Sequence, residues 1–240
     1  MSKTHNQTVD LLGNTIEYQV RRSSEANDPR IDVDIHDVTV IIPESKEAQP
    51  SALLKENAAW VIDKRCQYDA YREQAPDRTF EPGQQFPFLG EDRKLVVEPR
   101  GKQVVDENTI RLRQSAIEQS SLQQVLENFY RNRAREYLVS RTDYYAKQMD
   151  VKYEKLELRN QRTRWGSCST GGTISLNWRL IMAPPGIIDY LVVHELAHLT
   201  EQNHGNEFWH LVETQMPDYR ERARWLEENS TKLIFTEDDL

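Results

Sequence analysis

The chain has 240 residues, a length that fits one large domain or two small ones. Its hydrophobic content of 38% and charged content of 29% are typical of a soluble globular protein, and its net charge of −8 gives no general reason to expect nucleic-acid binding. No apolar run reaches the roughly 18 residues of a membrane span, and the N-terminal stretch lacks the apolar core of a signal peptide. The two cysteines are widely spaced and do not suggest a disulfide framework, so we expect an intracellular, cytoplasmic protein without membrane contact.

Residues 1–110 are predicted to form a β-rich supporting region with one helix. Alternating or continuous apolar residues predict short strands at 15–20, 31–35, 38–42 and 94–97. The stretches at 31–35 and 38–42 are interpreted as an antiparallel pair. Pro50 and Ser51 open the helix, whose apolar residues recur at helical intervals. We interpret residues 111–240 as a second domain, which carries the chemistry.

The second domain is predicted to begin with a long helix. Ser120 and Ser121 cap this helix, which continues to about Met149. Three strands follow, at 153–158, 163–169 and 173–180. Pro184 and Pro185 stop the third strand and stand at the start of the next helix, where proline is tolerated.

The next predicted helix carries the motif H-E-x-x-H, formed by His194, Glu195 and His198. Residues at positions i and i+4 lie on one face of a helix, so the two imidazoles can reach one metal ion from the same side. Glu195 can take a proton from a metal-bound water. Apolar residues surround the motif and indicate a buried helix, in which such polar side chains need partners. A metal ion provides these partners.

A third metal ligand is expected shortly after the helix. His204 follows His198 by six residues, and a turn at 203–205 would return its imidazole to the same ion. Glu207, on the following helical segment, is the alternative third ligand. Three protein ligands leave a fourth position for water, which is the coordination of a catalytic zinc site.

The chain resembles the YgjP-like metallopeptidases, relatives of the SprT-like zinc peptidases, in the sequences RWGSCS (164–169), ISLNWRL (174–180) and HELAH (194–198) and in His204, Phe208 and Trp209. The resemblance implies an α+β, zincin-like metallopeptidase fold with a small antiparallel sheet and an active-site helix, here preceded by the N-terminal β-rich region. It implies zinc (Zn2+) bound by His194, His198 and His204, with Glu195 as general base. An imidazole at position 204 matches the family motif, which favours His204 over Glu207.

The sequence is therefore interpreted as that of a zinc metallopeptidase that hydrolyses peptide bonds in a protein or peptide substrate. The strand at 163–169 is the predicted wall for an extended substrate, because Gly166 lets another backbone approach closely. Candidates for the second donor to the oxyanion are Arg164, Asn177 and Tyr219. Cys168 is interpreted either as a small buried residue or as a thiolate that blocks the open metal position.

Two other functions are weighed against this interpretation. Residues 130–179 carry a charge of +6, against −14 for the remainder, and with the SprT kinship this suggests a protease that acts on DNA-bound proteins. The other alternative is a non-catalytic, zinc-stabilised interaction module. Glu195 argues against that module, because a structural zinc site has no use for a base. The sequence leaves the oligomeric state open.

Overall fold

The computed structural model describes residues 7–24, 26–33, 37–161, 164–236 and 239. They form two compact units that divide between Ala75 and Pro76. This position differs from the predicted division after residue 110, because strand β8 (Thr109–Arg113) crosses that position and pairs with strand β6 (Glu91–Glu98) inside the second unit. Within these residues, no helix combines the length and the apolar character needed to cross a bilayer.

The first unit is a four-stranded sheet covered by two helices. The sheet has the order β1-β2-β4-β3, formed by β1 (Gln7–Leu11), β2 (Asn14–Ser23), β3 (Arg30–Val33) and β4 (Val38–Pro43). The outer pairs are antiparallel and the central pair β2 and β4 is parallel. The predicted strand at 31–35 is described only as far as Val33, since residues 34–36 lie outside the described part of the chain.

The single helix predicted for this region is two helices, α1 (Pro50–Glu56) and α2 (Ala58–Gln74). Asn57 separates them, and its side-chain amide donates to the Leu53 carbonyl at 2.9 Å. Such a local side-chain bond competes with the helical backbone and favours a helix end. The core of the unit lies between the sheet and the helices and includes Leu11, Val40 and Leu54.

The second unit begins with a sheet of the same topology. It has the order β5-β6-β8-β7, formed by β5 (Gln85–Phe88), β6, β7 (Val104–Val105) and β8. Its outer pairs are again antiparallel and its central pair parallel. The first hairpin of each sheet turns on a Leu-Gly pair with two positive φ angles, 53° and 87° at Leu12 and Gly13 and 52° and 83° at Leu89 and Gly90. These angles are typical of a two-residue type I′ turn.

A short helix, α3 (Gln114–Ile117), then a long helix and a three-stranded sheet follow. Ser121 caps helix α4 (Leu122–Gln148), as predicted, because its Oγ accepts from the Gln124 amide at 3.1 Å. The sheet contains β9 (Lys155–Arg159), β10 (Gly166–Cys168) and β11 (Thr173–Asn177) in the order β10-β11-β9. The prediction of an antiparallel sheet is wrong for this part of the fold, because β9 lies beside β11 in parallel and only β10 and β11 are antiparallel.

The strand predicted at 173–180 ends at Asn177, whose side-chain oxygen accepts from the Arg179 amide at 3.1 Å. This bond starts a 3-10 helix, Trp178–Met182, and helix α5 (Pro185–Ala197) follows it. The Leu89 and Gly90 amides of the β5–β6 turn donate to the Ile181 and Met182 carbonyls at 2.7 and 3.1 Å. The turn therefore fixes the backbone from which α5 begins.

Helix α5 is buried on nearly all sides and packs against α4, α6 (Asn206–Gln215) and α7 (Tyr219–Asn229). An ion pair ties it to α4: the Arg141 guanidinium donates to both carboxylate oxygens of Asp189 at 2.6 and 2.7 Å, and Tyr145 adds a third bond to Asp189 at 3.2 Å. Bidentate pairs of this kind restrict geometry as well as stabilise. The mixture of helices and small sheets confirms the α+β class.

Candidate metal centre

Three histidine side chains converge at the C-terminal end of α5. His194 lies on the last turns of the helix, and His198 is its C-cap residue. The chain then turns at Asn203, where the Gly205 amide donates to the Asn203 carbonyl at 2.7 Å, and brings His204 back. The Nε2 atom of His204 lies 3.1 Å from Nε2 of His194 and 3.1 Å from Nε2 of His198. The structure thus brings together the three histidines that the sequence pointed to.

The ring nitrogens of these histidines are in suitable states to bind a cation. The Nδ1–H of His198 donates to the Glu201 carbonyl at 3.0 Å, because a carbonyl only accepts, and this bond leaves Nε2 as the nitrogen of that ring that faces the other two histidines. Burial, together with His198 and His204, lowers the pKa of His194 to about 4. Burial and His198 also lower the pKa of His204. Near neutral pH, His194 is therefore uncharged.

The donor set fits a divalent metal such as zinc. Within the described residues, the ligand atoms of His194, His198 and His204 lie within 4.8 Å of one another. Two nitrogens bound tetrahedrally to one zinc at about 2.0–2.1 Å are separated by roughly 3.3 Å, close to the separations found here. When all three Nε2 atoms carry lone pairs, as metal binding requires, they repel one another at 3.1 Å, and a shared cation removes this repulsion.

Two aromatic side chains of α6 form the wall behind the histidines. The Phe208 ring is fully buried, and its centroid lies 4.5, 4.7 and 4.9 Å from those of His198, His204 and His194. The Trp209 ring stacks on His204 with centroids 5.7 Å apart. These contacts restrict the rotation of all three imidazoles, so the convergence of their Nε2 atoms depends on packing as well as on the H-E-x-x-H spacing.

Glu195 lies between α5 and strand β10. It is 4% exposed, and burial raises the pKa of its carboxyl to about 8, while the nearby Arg164 guanidinium acts in the opposite direction. A Cβ atom at Gly166 would lie 2.4 Å from Oε1 of Glu195, a distance that no relaxed structure allows. Glycine at position 166 therefore lets β10 run directly alongside the carboxylate.

The other predicted candidates have different positions. Glu207 is an exposed residue in the first turn of α6 and does not belong to the three-histidine cluster. Cys168 is outside that cluster as well, and its thiol donates to the Ser169 carbonyl at 3.5 Å. Burial and the charge of Glu195 raise the pKa of the Cys168 thiol, which favours the protonated form over a metal-binding thiolate.

Of the three candidates for the oxyanion donor, Asn177 is the one whose donor group is engaged elsewhere. The Asn177 amide donates to the Gln161 and Arg164 carbonyls at 2.7 and 3.4 Å. Tyr219 is buried, and its hydroxyl accepts from Nε of Arg220 at 3.0 Å. The Arg164 side chain is exposed and close enough to Glu195 to influence its charge. Of these candidates, Arg164 has the position that suits the role.

A cavity of about 580 Å³ is lined by residues of α6 and of the first turn of α7. Its lining residues are Asn206, Glu207, Trp209, His210, Glu213, Tyr219 and Arg220. Trp209 lies between the histidine cluster and the cavity. Its ring stacks on His204, and it also stacks on Tyr219 with the two ring centroids 5.2 Å apart. The cavity therefore borders the histidine cluster through Trp209, and His194, His198 and His204 are not among its lining residues.

The basic segment 130–179 contains arginines with acidic neighbours. On α4, Arg131 pairs with Glu127 at 2.7 Å, Arg133 pairs with Glu136 at 2.8 Å, and Arg141 pairs with Asp189. These contacts offset part of the positive charge that suggested a nucleic-acid surface.

Tyr190 is a neighbour of the site that was not predicted. It lies one turn before His194, with ring centroids 5.9 Å apart, and burial and Glu195 raise the pKa of its phenol. Its spacing of four residues from His194 is the signal that would have placed it on this face.

A family model described as the YgjP-like metallopeptidase domain matches residues 27–229. The crystal structure of the metallopeptidase zymogen of Pyrococcus abyssi abylysin is similar at 20% identity, with a TM-score of 0.36, and the match covers 40% of this chain and 99% of that one. The search of curated protein sequences gave no significant match.

Proposed function

Since this chain belongs to the YgjP-like metallopeptidase family, we propose that it is a zinc-dependent peptidase in which His194, His198 and His204 hold the metal and Glu195 is the general base. One observation carries the proposal: three imidazole Nε2 atoms converge at the end of α5, and the residue that follows His194 on this helix is the buried Glu195. A zincin-like arrangement is part of it, with α5 as the active-site helix and α4 as the supporting helix. The metal, when bound, supplies a Lewis acid that polarises a carbonyl and lowers the pKa of water.

Glu195 is the proposed proton acceptor and donor of the reaction. Burial alone favours the protonated form of this carboxyl, and a cation held by the histidines would favour the ionised form. The ionised carboxylate accepts a proton from the attacking water and delivers it to the leaving amine. Burial between α5 and β10 holds the carboxylate in one place and limits competing bulk water. Because Gly166 has no side chain, the carboxylate keeps this position directly beside the strand.

The substrate lies along β10 in an extended conformation. This strand is at the edge of its sheet, with β11 on one side. An edge strand offers unpaired amides and carbonyls, to which an extended peptide adds by main-chain hydrogen bonds. This mode of binding suits unfolded or flexible protein segments, since folded ones do not present a free strand.

Arg164 completes the reacting region. Its guanidinium, at the entrance to β10, is proposed to donate to the oxygen that gains negative charge during attack on the carbonyl. A planar guanidinium offers several donors and remains charged at every physiological pH.

The proposal is tested with the variant Glu195→Gln and its control Glu207→Gln. We expect Glu195→Gln to keep one zinc ion per chain and to lose cleavage of a reduced, denatured protein by about 10²- to 10⁴-fold. Glu207→Gln should keep both zinc and cleavage, because Glu207 lies outside the histidine cluster. Full activity of Glu195→Gln, or loss of zinc from Glu207→Gln, would contradict the assignment.

The same preparations separate the two alternative functions. A protease that works on DNA-bound proteins should bind duplex DNA at low salt and lose this binding as salt rises. A zinc-stabilised interaction module should contain zinc and leave every denatured substrate intact. Zinc-dependent cleavage without affinity for DNA would support the peptidase and contradict both alternatives.

A further inference from the structure

Arg179 is a buried charge to which the proposed mechanism assigns no role. It is 2% exposed and lies in the 3-10 helix between β11 and α5. Burying a guanidinium is unfavourable unless its donors are satisfied. The contacts that satisfy it therefore indicate what this arginine does.

The guanidinium of Arg179 contacts the segment 160–165, of which the structure describes residues 160, 161, 164 and 165, at two places. Its Nη2 donates to the Gln161 carbonyl at 2.8 Å, and its Cζ lies 5.3 Å from the centroid of the Trp165 ring. Its other nitrogens donate to Oδ1 of Asn177 and to the carbonyl of Asp239, both at 3.3 Å. One side chain thus joins this segment to β11 and to the C-terminal part of the chain.

The neighbours of Arg179 hold the same segment. The Asn177 side chain donates to the Gln161 and Arg164 carbonyls, and its backbone amide donates to the Trp165 carbonyl at 2.8 Å. Oδ1 of Asn160 accepts from the Trp178 indole at 2.7 Å, while its amide donates to Asp239 at 2.8 Å.

The segment held in this way leads directly into the proposed catalytic region. Its last residues are Arg164 and Trp165, and the next residue, Gly166, is the one whose backbone lies against Glu195. A shift of the segment would therefore move both the proposed oxyanion donor and the first residue of the substrate-binding strand.

We propose that Arg179 is a positioning residue of the peptidase, which fixes the segment 160–165 so that Arg164 and β10 keep their places beside Glu195. This inference rests on the proposed function for its consequence in catalysis. A lysine would keep the positive charge, but its single nitrogen cannot serve three separate acceptors and stack on Trp165. The substitution Arg179→Lys therefore removes the hydrogen bonds to separate acceptors and the stacking on Trp165, and keeps the positive charge.

The matched control is Arg78→Lys. Arg78 also donates to two backbone carbonyls, Ile234 at 3.0 Å and Lys232 at 2.7 Å, and its guanidinium carbon lies 5.9 Å from the Phe86 ring centroid. These contacts do not involve the segment 160–165. Both variants lose a guanidinium that binds carbonyl oxygens, so the comparison separates general destabilisation from positioning.

The first readouts are kcat/KM on a denatured protein, zinc content and stability in urea. We expect Arg179→Lys to lower kcat/KM by about 10- to 100-fold, because small misplacements of reacting groups have effects of this size. Zinc content should not change, since the histidines are untouched. Arg78→Lys, compared at equal residual stability, should stay within about 3-fold of the wild type.

The second readouts do not need turnover. In the inactive Glu195→Gln background, Arg179→Lys should weaken binding of a fluorescent peptide derived from a cleaved substrate by about 10-fold. It should also speed amide hydrogen exchange in residues 164–168. Should the wild type fail to cleave, the proposed function falls, while the exchange measurement still decides whether Arg179 holds the segment.

Equal effects of Arg179→Lys and Arg78→Lys on kcat/KM and on peptide binding would overturn the inference and leave Arg179 a structural residue. The milder variant Asn160→Asp covers the case in which Arg179→Lys does not fold. It keeps the acceptor for Trp178 and places a carboxylate against Asp239. We expect a reduction of kcat/KM of about 3-fold in the same direction, and wild-type kinetics of this variant would count against the inference.

Discussion

The two four-stranded sheets have the same topology, but their first hairpin turns have different surroundings. Each begins with a hairpin that turns on Leu-Gly with nearly equal φ angles. In the first unit, Leu12 is 74% exposed, and a Cβ at Gly13 would meet no atom within 4 Å. In the second unit, a Cβ at Gly90 would lie 2.8 Å from Cα of Pro184, directly before α5. The same turn closes a hairpin in one unit and also sets the start of the histidine helix in the other.

The largest difference between the units is expected on metal removal, because none of the three histidines belongs to the first unit. A metal at about 1,000 times its Kd stabilises the unit that binds it by about 4 kcal/mol. Chelation should therefore speed amide exchange throughout α5 and α6 and leave exchange in β1–β4 unchanged. An equal increase of amide exchange in both units would contradict the expectation that the metal stabilises the second unit alone.

A smaller effect is expected from glycine contacts in the second unit. Gly13 is the single glycine of the first unit, whereas Gly166 lies against Glu195. Gly166→Ala should displace the carboxylate and lower kcat/KM by about 100-fold, equivalent to about 2.7 kcal/mol. The control Gly171→Ala, whose Cβ would meet its nearest neighbour at an ordinary 3.8 Å, should leave kcat/KM within about 2-fold.

The two Leu-Gly turns provide the next test, as the pair Gly90→Ala and Gly13→Ala. Both substitutions place alanine at a positive φ, which costs about 1 kcal/mol. Gly90→Ala adds a collision with Pro184, for a total of about 2–4 kcal/mol. Urea denaturation measures the difference, and equal losses would mean that the contact with Pro184 relaxes freely.

The smallest effect concerns Leu12 and Leu89. Asparagine tolerates the left-handed region better than leucine, so Leu12→Asn should stabilise the first unit by about 0.5 kcal/mol. Leu89→Asn should destabilise the second unit, because Leu89 packs on its core. Thermal unfolding distinguishes the two outcomes, and a gain in both variants would show that the Leu89 packing contributes little.

Local patterns predicted the parts of the protein that depend on neighbours in sequence. Ser121 is a helix cap in the structure as in the sequence, and the spacing of His194, Glu195 and His198 places them on one helix end. The family resemblance is confirmed by the match over residues 27–229. The YgjP-like domain therefore accounts for most of the chain.

Features that depend on distant partners could not be read from the sequence. The parallel pairing of β9 with β11 depends on the path of the chain between the two strands. Hydrophobic periodicity does not encode the relative direction of paired strands. Residues 178–180 were predicted to continue the strand, but the Asn177 side chain accepts from the Arg179 amide and ends it. The unit boundary at Ala75 is set by long-range strand pairing, which no local composition change marks.

The bidentate pair between Arg141 and Asp189 has a consequence for dynamics. Opening α4 or α5 alone would leave one of two partly buried charges without its partner, which is unfavourable. The two helices should therefore exchange their amide hydrogens in a single cooperative event, as one folding unit. Fraying of α5 is restricted to the turns beyond Asp189, so local opening exposes the histidines from the C-terminal end of the helix first.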